Sequence, residues 1–335
     1  MTKHQHGGDT TYFSKQIGCK IDEVIDLSSN INFIRPQISI DFNTLDIASY
    51  PNYNNLANAI ASLYKVSDKK IELFNGATTA IYTLFRELSL KLKHCTLYAP
   101  LYLEYEKSAK LNGYTIKYIN RFENIYQEVQ ENSFVVFVNP STPDGQYYNV
   151  RKLMNIWIEK NCTILIDESF LDFTPCQSAI NYLESYNKLY ILKSMTKFYS
   201  SAGIRIGALI SQEKNIKAIQ EKEPLWKISQ FDSHYLQSAL ADKTFPKISK
   251  EINGKNKKYL ISLLQKSSLI ERVYPSDANF IMIKLRGLTA TEFQNKLIEH
   301  KIMIRNCSNF KFLDDSFVRI AVKDTNKLKA LEDIL

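Results

Sequence analysis

What this chain lacks removes several classes of protein at once. No run of its 335 residues approaches eighteen consecutive apolar positions, so a membrane-spanning helix is not expected. No secretory signal precedes the first motif, and a cytoplasmic location is the expectation. The five cysteines, Cys19, Cys95, Cys162, Cys176 and Cys307, are odd in number and widely spaced. That spacing argues against both a disulfide framework and a zinc cluster. His4 and His6 lie near the start without a cysteine or carboxylate set, which predicts solvent-facing or substrate-facing side chains rather than metal ligands. No phosphate loop of the form Gly-x-x-x-x-Gly-Lys-Ser/Thr occurs. Internal repeats and low-complexity linkers are also missing.

The charge is lopsided but not concentrated. Forty-three Lys and Arg against 35 Asp and Glu give a net charge of +8. The densest basic stretch, 247–258, sits in an amphipathic pattern with Ile248, Ile252, Tyr259 and Leu260, and reads as a charged helix face. No nucleic-acid or membrane partner is expected. The excess is suited to attracting small phosphorylated metabolites.

With 44% apolar residues, the chain can bury one large core or two smaller ones. Apolar strand-length runs at 95–98, 114–119, 134–138, 162–166, 189–192 and 204–210 alternate with helical periodicity at 77–92, 103–111 and 150–159. This alternation predicts an α/β fold with a mostly parallel sheet covered by helices on both faces. From about residue 240 the pattern shifts to long helices and short strands at 280–285, 302–304 and 318–322, predicting a smaller α+β domain. The expected organisation is an N-terminal arm over 1–48, a large domain over 49–239 and a small one over 240–335.

Two segments carry chemistry. Thr163-Ile164-Leu165-Ile166 is a buried-strand pattern ending in Asp167-Glu168-Ser169-Phe170, and catalytic groups of such sheets lie beyond the strands' carboxyl ends. About thirty residues on comes Lys193-Ser194-Met195-Thr196-Lys197, continuing to Arg205 and Gly207. Ser194-x-x-Lys197 also matches a β-lactamase nucleophile motif, but the accompanying Ser-Asp-Asn and Lys-Thr-Gly are missing; Ser276-Asp277-Ala278 only approaches the first. A third segment, Asn75-Gly76-Ala77-Thr78-Thr79-Ala80, opens a predicted helix. A helix N-terminus presents free N–H groups and a positive dipole end, Gly76 allows close approach and Thr78 adds a hydroxyl; the plainer alternative is that Thr78 or Thr79 merely caps the helix. Together these supply a lysine for a cofactor aldehyde, a carboxylate for a pyridine nitrogen and donors for a phosphate, with Ser194 and the two-pronged Arg205 among the last. That set predicts a pyridoxal 5'-phosphate site.

In these segments the chain resembles the fold-type I pyridoxal-phosphate enzymes, in the branch that holds histidinol-phosphate aminotransferase and L-threonine-O-3-phosphate decarboxylase. The likeness spans almost the whole chain. It takes in His6-Gly7-Gly8-Asp9, Asp26-Leu27-Ser28-Ser29-Asn30-Ile31-Asn32, Tyr50-Pro51, Asn75-Gly76 and Ala99-Pro100-Leu101-Tyr102-Leu103-Glu104-Tyr105. Further on it includes Asn139-Pro140-Ser141-Thr142-Pro143, the Asp167 and Lys197 segments, Asp277-Ala278-Asn279-Phe280, Ile304-Arg305-Asn306-Cys307 and Val318-Arg319-Ile320-Ala321. The resemblance implies that Lys197 bonds the cofactor aldehyde and shuttles protons, Asp167 pairs with the ring nitrogen, and Tyr102 stacks on the ring. Gly76, Ala77, Thr78, Ser194 and Arg205 would hold the phosphate, with Tyr50 reaching it from the neighbouring subunit of a homodimer. Arg319 would clamp the substrate carboxylate and Arg305 a substrate phosphate, with His6, Gly7 and Asn32 also at the substrate.

The departures are specific. Thr142 stands where relatives carry an asparagine that donates to the cofactor's phenolic oxygen, and Phe170 where a tyrosine often does the same. Ser201-Ala202-Gly203 replaces a frequent Pro-Gly. The opening and the 305–309 segment are closer to the decarboxylase, so the leading expectation is decarboxylation of O-phosphoserine or O-phosphothreonine. The alternative is transamination of a phosphorylated amine of the histidinol-phosphate type. A catalytically silent relative is the third reading, and retention of Lys197, Asp167, Arg205 and Arg319 argues against it.

Overall fold

The computed structural model describes residues 6–332 and 334–335; His4 lies outside them. In chain order the strands are β1 (Ile25–Asp26), β2 (Ile71–Asn75), β3 (His94–Ala99), β4 (Thr115–Asn120), β5 (Phe134–Val138), β6 (Thr163–Asp167), β7 (Leu189–Ser194), β8 (Ile206–Ser211), β9 (Ile270–Val273), β10 (Phe280–Leu285), β11 (Ile302–Met303), β12 (Arg305–Asn306) and β13 (Phe317–Ala321). Among the described residues, seven of them form one sheet in the order β2-β8-β7-β6-β5-β3-β4. The neighbours from β7 through β6, β5 and β3 to β4 pair in parallel. Only β8 runs the other way, antiparallel to both β7 and β2. The sequence expectation of a mostly parallel sheet holds.

Side chains alternate across this sheet as a strand requires. Val135 and Phe137 of β5 join Ile164 and Ile166 of β6 on one face, over Trp157 of helix Arg151–Glu159. Phe134, Val136 and Val138 join Leu165 on the other, under Ala80, Leu84 and Phe85 of helix Ala77–Ser89. Both faces are covered, which is why these strands read as unbroken apolar runs.

The remaining strands form a four-stranded sheet, β12-β13-β10-β9, and a two-stranded pair, β1-β11. Leu27 after β1 packs with Ile281, Ile283, Val318 and Ile320 in the core of this C-terminal part. The predicted strand at 302–304 is Ile302–Met303, paired with β1, and a separate strand that was not expected, Arg305–Asn306, pairs with β13. Helix Phe245–Lys266 corrects a second expectation. Its inward face carries Ser249, Asn253 and Asn256 beside Leu260 and Leu264, while Ile248 is turned outward, 45% exposed. Polar residues win the inner positions because buried partners await them there.

Candidate active site

Loops at the carboxyl ends of the parallel strands surround one cavity of about 410 Å³, a volume suited to a small ligand. Asp167 ends β6, Ser194 ends β7, and Lys197 sits in the four-residue helix Met195–Phe198 directly after β7. Thr142 follows β5, and Tyr102 follows β3 at the cap of helix Leu103–Leu111. The cavity wall includes all five, together with His6, Gly7, Ala77, Thr78, Arg205, Arg305 and Arg319.

Two acids and two lysines at the ends of β6 and β7 part company here. Glu168 and Lys193 form a buried ion pair at 2.6 Å, where Glu168 also accepts from Ser178 Oγ and the Ala179 amide. Asp167 and Lys197 instead line the cavity. Asp167 is held from behind: Tyr105 donates its hydroxyl at 2.7 Å, and Ser169 donates both its amide and its hydroxyl. Lys197 Nζ donates to Ser194 Oγ at 3.2 Å and stands 5.2 Å from the centre of the Phe170 ring. Burial lowers its pKa from the ordinary lysine value, and Arg205 and Arg319 push the same way against the opposing pull of Asp167. A lysine so placed gains the neutral form a nucleophilic amine needs.

A second device lies at the start of helix Ala77–Ser89. Gly76 is the cap, at φ +80°, and no side chain caps the helix. Thr78 is therefore not spent on capping; its hydroxyl lies 3.4 Å from that of Tyr102, facing the cavity. A Cβ on Gly76 would come within 2.7 Å of Arg205 Nη2, and one on Gly207 within 2.4 Å of the Ala77 amide nitrogen. Both glycines are thus required by close approach, bringing free helix-start N–H groups, a guanidinium and the Ser194 hydroxyl around one spot. This is an anion cradle.

Opposite lie two more guanidiniums. Arg319 is buried, its Nη1 donating to Thr142 Oγ1 and its Nη2 to the Ser28 carbonyl, each at 3.1 Å. Its Nε has no partner among the described residues, and burial lowers its pKa to about 10. It makes no ion pair among the described residues, so it stays charged at neutral pH without a counter-ion of its own, a costly state unless an anion arrives. Because Thr142 accepts from Arg319, its own O–H remains available to donate. Arg305 is also buried; its Nη2 donates to Asn309 Oδ1 at 2.8 Å, and its guanidinium lies 5.0 Å from the Phe310 ring centre. His6 stands 5.4 Å from the Tyr102 ring and within 3.4 Å of Glu104; burial lowers its pKa against the pull of that carboxylate. A Cβ on Gly7 would lie 2.6 Å from the Ser28 carbonyl, so the opening segment presses on Ser28.

Three expected site residues are not on the wall: Gly76, which caps the helix just behind Ala77, Asn32 and Tyr50. Asn32 corrects its expected place at the substrate: it is buried behind the cavity, with its side chain hydrogen-bonded to Phe198 O, Ser249 and Asn253. Tyr50 is 75% exposed and stacks on Trp226 at 4.1 Å, outside its own chain's cavity. Sequence reasoning gave no role to Tyr105, which anchors Asp167, or to Thr196, which reaches Ser194 Oγ at 2.9 Å. Tyr105 was visible only as one letter of a motif.

The family described as Aminotransferase class I and II matches residues 24–335. A Caldanaerobacter subterraneus protein provisionally named a threonine-phosphate decarboxylase is 30% identical, covering 88% of this chain and 85% of its own. The threonine-phosphate decarboxylase of Salmonella typhimurium is 25% identical, covering 98% and 96%. Among solved structures, histidinol-phosphate aminotransferase from Clostridium acetobutylicum superposes with a TM-score of 0.81 at 32% identity, over 92% of this chain and 98% of that one. The cofactor that goes with this family is pyridoxal 5'-phosphate, and the residues present fit it. The cradle at Gly76 matches its phosphate, the enclosed amine of Lys197 its aldehyde, and the anchored carboxylate of Asp167 its ring nitrogen.

Proposed function

The chain belongs to the class I and II aminotransferases, and from that premise we propose that it decarboxylates an O-phosphorylated amino acid. O-phosphoserine or O-phosphothreonine is the substrate and a phosphorylated amino alcohol the product. The observation that carries this reading is the pair of buried guanidiniums, Arg319 and Arg305, in the wall that also holds Lys197. A substrate with a carboxylate at one end and a phosphate at the other needs two separated cationic clamps. The similarity to threonine-phosphate decarboxylases supports the same choice.

Bound pyridoxal 5'-phosphate supplies an electron sink for the pair left when a bond to the substrate Cα breaks. Asp167, fixed by Tyr105 and Ser169, would keep the ring nitrogen protonated. Gly76, Ala77, Thr78, Ser194 and Arg205 would hold the cofactor phosphate, and Tyr102 would stack on the ring. Arg319 and Arg305 grip the two substrate ends and so fix rotation about Cα, with His6 and Gly7 closing the side nearest Ser28. Lys197 would deliver the proton that takes the place of the departing carboxylate, lost as carbon dioxide, at Cα. Residues 49–239 form the cofactor-holding domain in this reading, 240–335 the small domain, and 1–48 an arm that serves both. Tyr50, exposed and outside its own chain's cavity wall, completes the site of a second copy in a homodimer.

The similarity to a histidinol-phosphate aminotransferase at 32% identity favours a second reading, transamination of a phosphorylated amine. One experiment separates them. The holoenzyme is incubated with O-phosphoserine, O-phosphothreonine and histidinol phosphate, with and without 2-oxoglutarate, and products are identified by mass. Loss of carbon dioxide without any keto-acid requirement is expected. Strict dependence on 2-oxoglutarate, with glutamate formed in step, establishes the aminotransferase instead.

A further inference from the structure

Lys197 stands on a helix too short to hold itself. Four residues, Met195–Phe198, give one turn, and a single turn fixes more backbone freedom than its hydrogen bonds return. The turn leaves through Ser200, a non-glycine residue at φ +52°, a conformation that persists when its surroundings impose it. What imposes it lies far away in sequence.

The segment 28–32 passes beside this turn with its carbonyls held by distant side chains. Arg319 Nη2 donates to Ser28 O at 3.1 Å, Asn279 Nδ2 to Asn30 O at 2.9 Å, and Lys323 Nζ to Ile31 O at 2.9 Å. Ser200 Oγ donates to Asn32 O at 2.7 Å. Asn32 then ties the segment to the lysine turn. Its amide donates to the carbonyl of Lys197 at 3.0 Å and its Nδ2 to that of Phe198 at 2.8 Å. Behind it, Ser249 Oγ accepts from Nδ2 at 2.7 Å, and Asn253 Nδ2 donates to Oδ1 at 3.0 Å. The asparagine is 2% exposed, so none of these groups has water as a substitute.

We propose that Asn32 is a positioning residue for Lys197, fixing the turn from behind and thereby holding the amine inside the cavity wall. The inference rests on the reading that Lys197 bonds the cofactor. Its chemical consequence follows from where the amine is held. Burial disfavours the ammonium form, so a turn that loosens lets Nζ reach water and regain the charge.

The test uses apoprotein and cofactor binding, not turnover. In Asn32→Ala, the pH midpoint for reductive methylation of Lys197, read by peptide mass, should rise toward that of an exposed lysine. Pyridoxal 5'-phosphate should bind about tenfold more weakly, as expected for losing a buried hydrogen bond. Ser200→Ala and Ser249→Ala each remove one strut and should move both readouts in the same direction by less. A merely structural asparagine would lower the melting temperature and leave the methylation midpoint in place; that result overturns the proposal. If Asn32→Ala fails to fold, the two serine variants decide: no shift in either overturns it. Borohydride reduction of wild-type holoenzyme separates the two ideas. An adduct on a lysine other than Lys197 refutes the underlying reading, whereas an adduct on Lys197 with unmoved midpoints refutes only the role of Asn32.

Discussion

Lys193 and Lys197 lie four residues apart at one strand end, both enclosed by protein, and what faces each is opposite in kind. Lys193 meets Glu168 at 2.6 Å, with the Tyr64 ring 4.4 Å from its ammonium. Lys197 meets a serine hydroxyl, the like charges of Arg205 and Arg319, and a cavity. A matched charge is spent on holding β6 and β7 together. An unmatched one is left for chemistry. The same division separates Glu168, saturated by Lys193, Ser178 and Ala179, from Asp167, which is braced on one side and faces the cavity on the other.

The comparison breaks most visibly at the lysines. Lys197→Ala should lose the visible or near-ultraviolet absorbance of the covalently bound cofactor and lower turnover by on the order of 10³-fold or more, the scale of a lost proton-transfer group. Lys193→Met should keep that absorbance. A Lys193 variant that loses covalent cofactor, or a Lys197 variant that retains it, reverses the assignment.

Asp167→Asn sharpens the contrast between the acids. A neutral amide cannot hold a ring nitrogen protonated, and the lost stabilisation should be about 3 kcal/mol or more in turnover, with cofactor retained. Equilibrium dialysis and rates measured side by side check this; near-normal turnover excludes the role.

For stability the order inverts. Lys193→Met strands Glu168 in the interior and should destabilise by about 3–5 kcal/mol. Adding Glu168→Gln removes the stranded charge while keeping an acceptor for Ser178 and Ala179, and should recover more than half. Denaturant melts of the single and double variants read this directly. Equal stability of both would mean that the pair is not the brace it appears from its burial.

The sequence made one side of this comparison legible and not the other. Asp167, Lys197 and Gly76 announce themselves because each sits in a short segment whose residue types already match a chemistry. Thr78 is legible for the same reason, once Gly76 is known to take the cap. Lys193, Glu168 and Tyr105 do not, because their meaning comes from neighbours across strands and from a helix begun after a different strand. Periodicity located six strands of the large sheet but carries no sign of direction, so the antiparallel β8 could not be read. Helix Phe245–Lys266 misled for a physical reason. Apolar residues ordinarily mark the inner face, but here Ser249 and Asn253 turn inward to meet Asn32, which lies more than two hundred residues away.

The smallest effect tests the unmatched lysine without cofactor or substrate. Burial lowers the folded-state pKa of Lys197 below its ordinary value near 10.5, so the unfolded chain holds more protons between those two values. The penalty is complete below the folded pKa, shrinks as pH rises through the window, and is gone above about 10.5, where the amine is neutral in both states. Apoprotein carrying Lys197→Met should therefore be more stable than wild type at neutral pH, and its advantage should decline steadily toward alkaline pH. Urea melts of both apoproteins at several pH values between neutral and alkaline measure the difference, and other titrating groups cancel in it. An advantage that stayed constant or grew with pH would mean that Lys197 already has a counter-charge, making it a second Lys193.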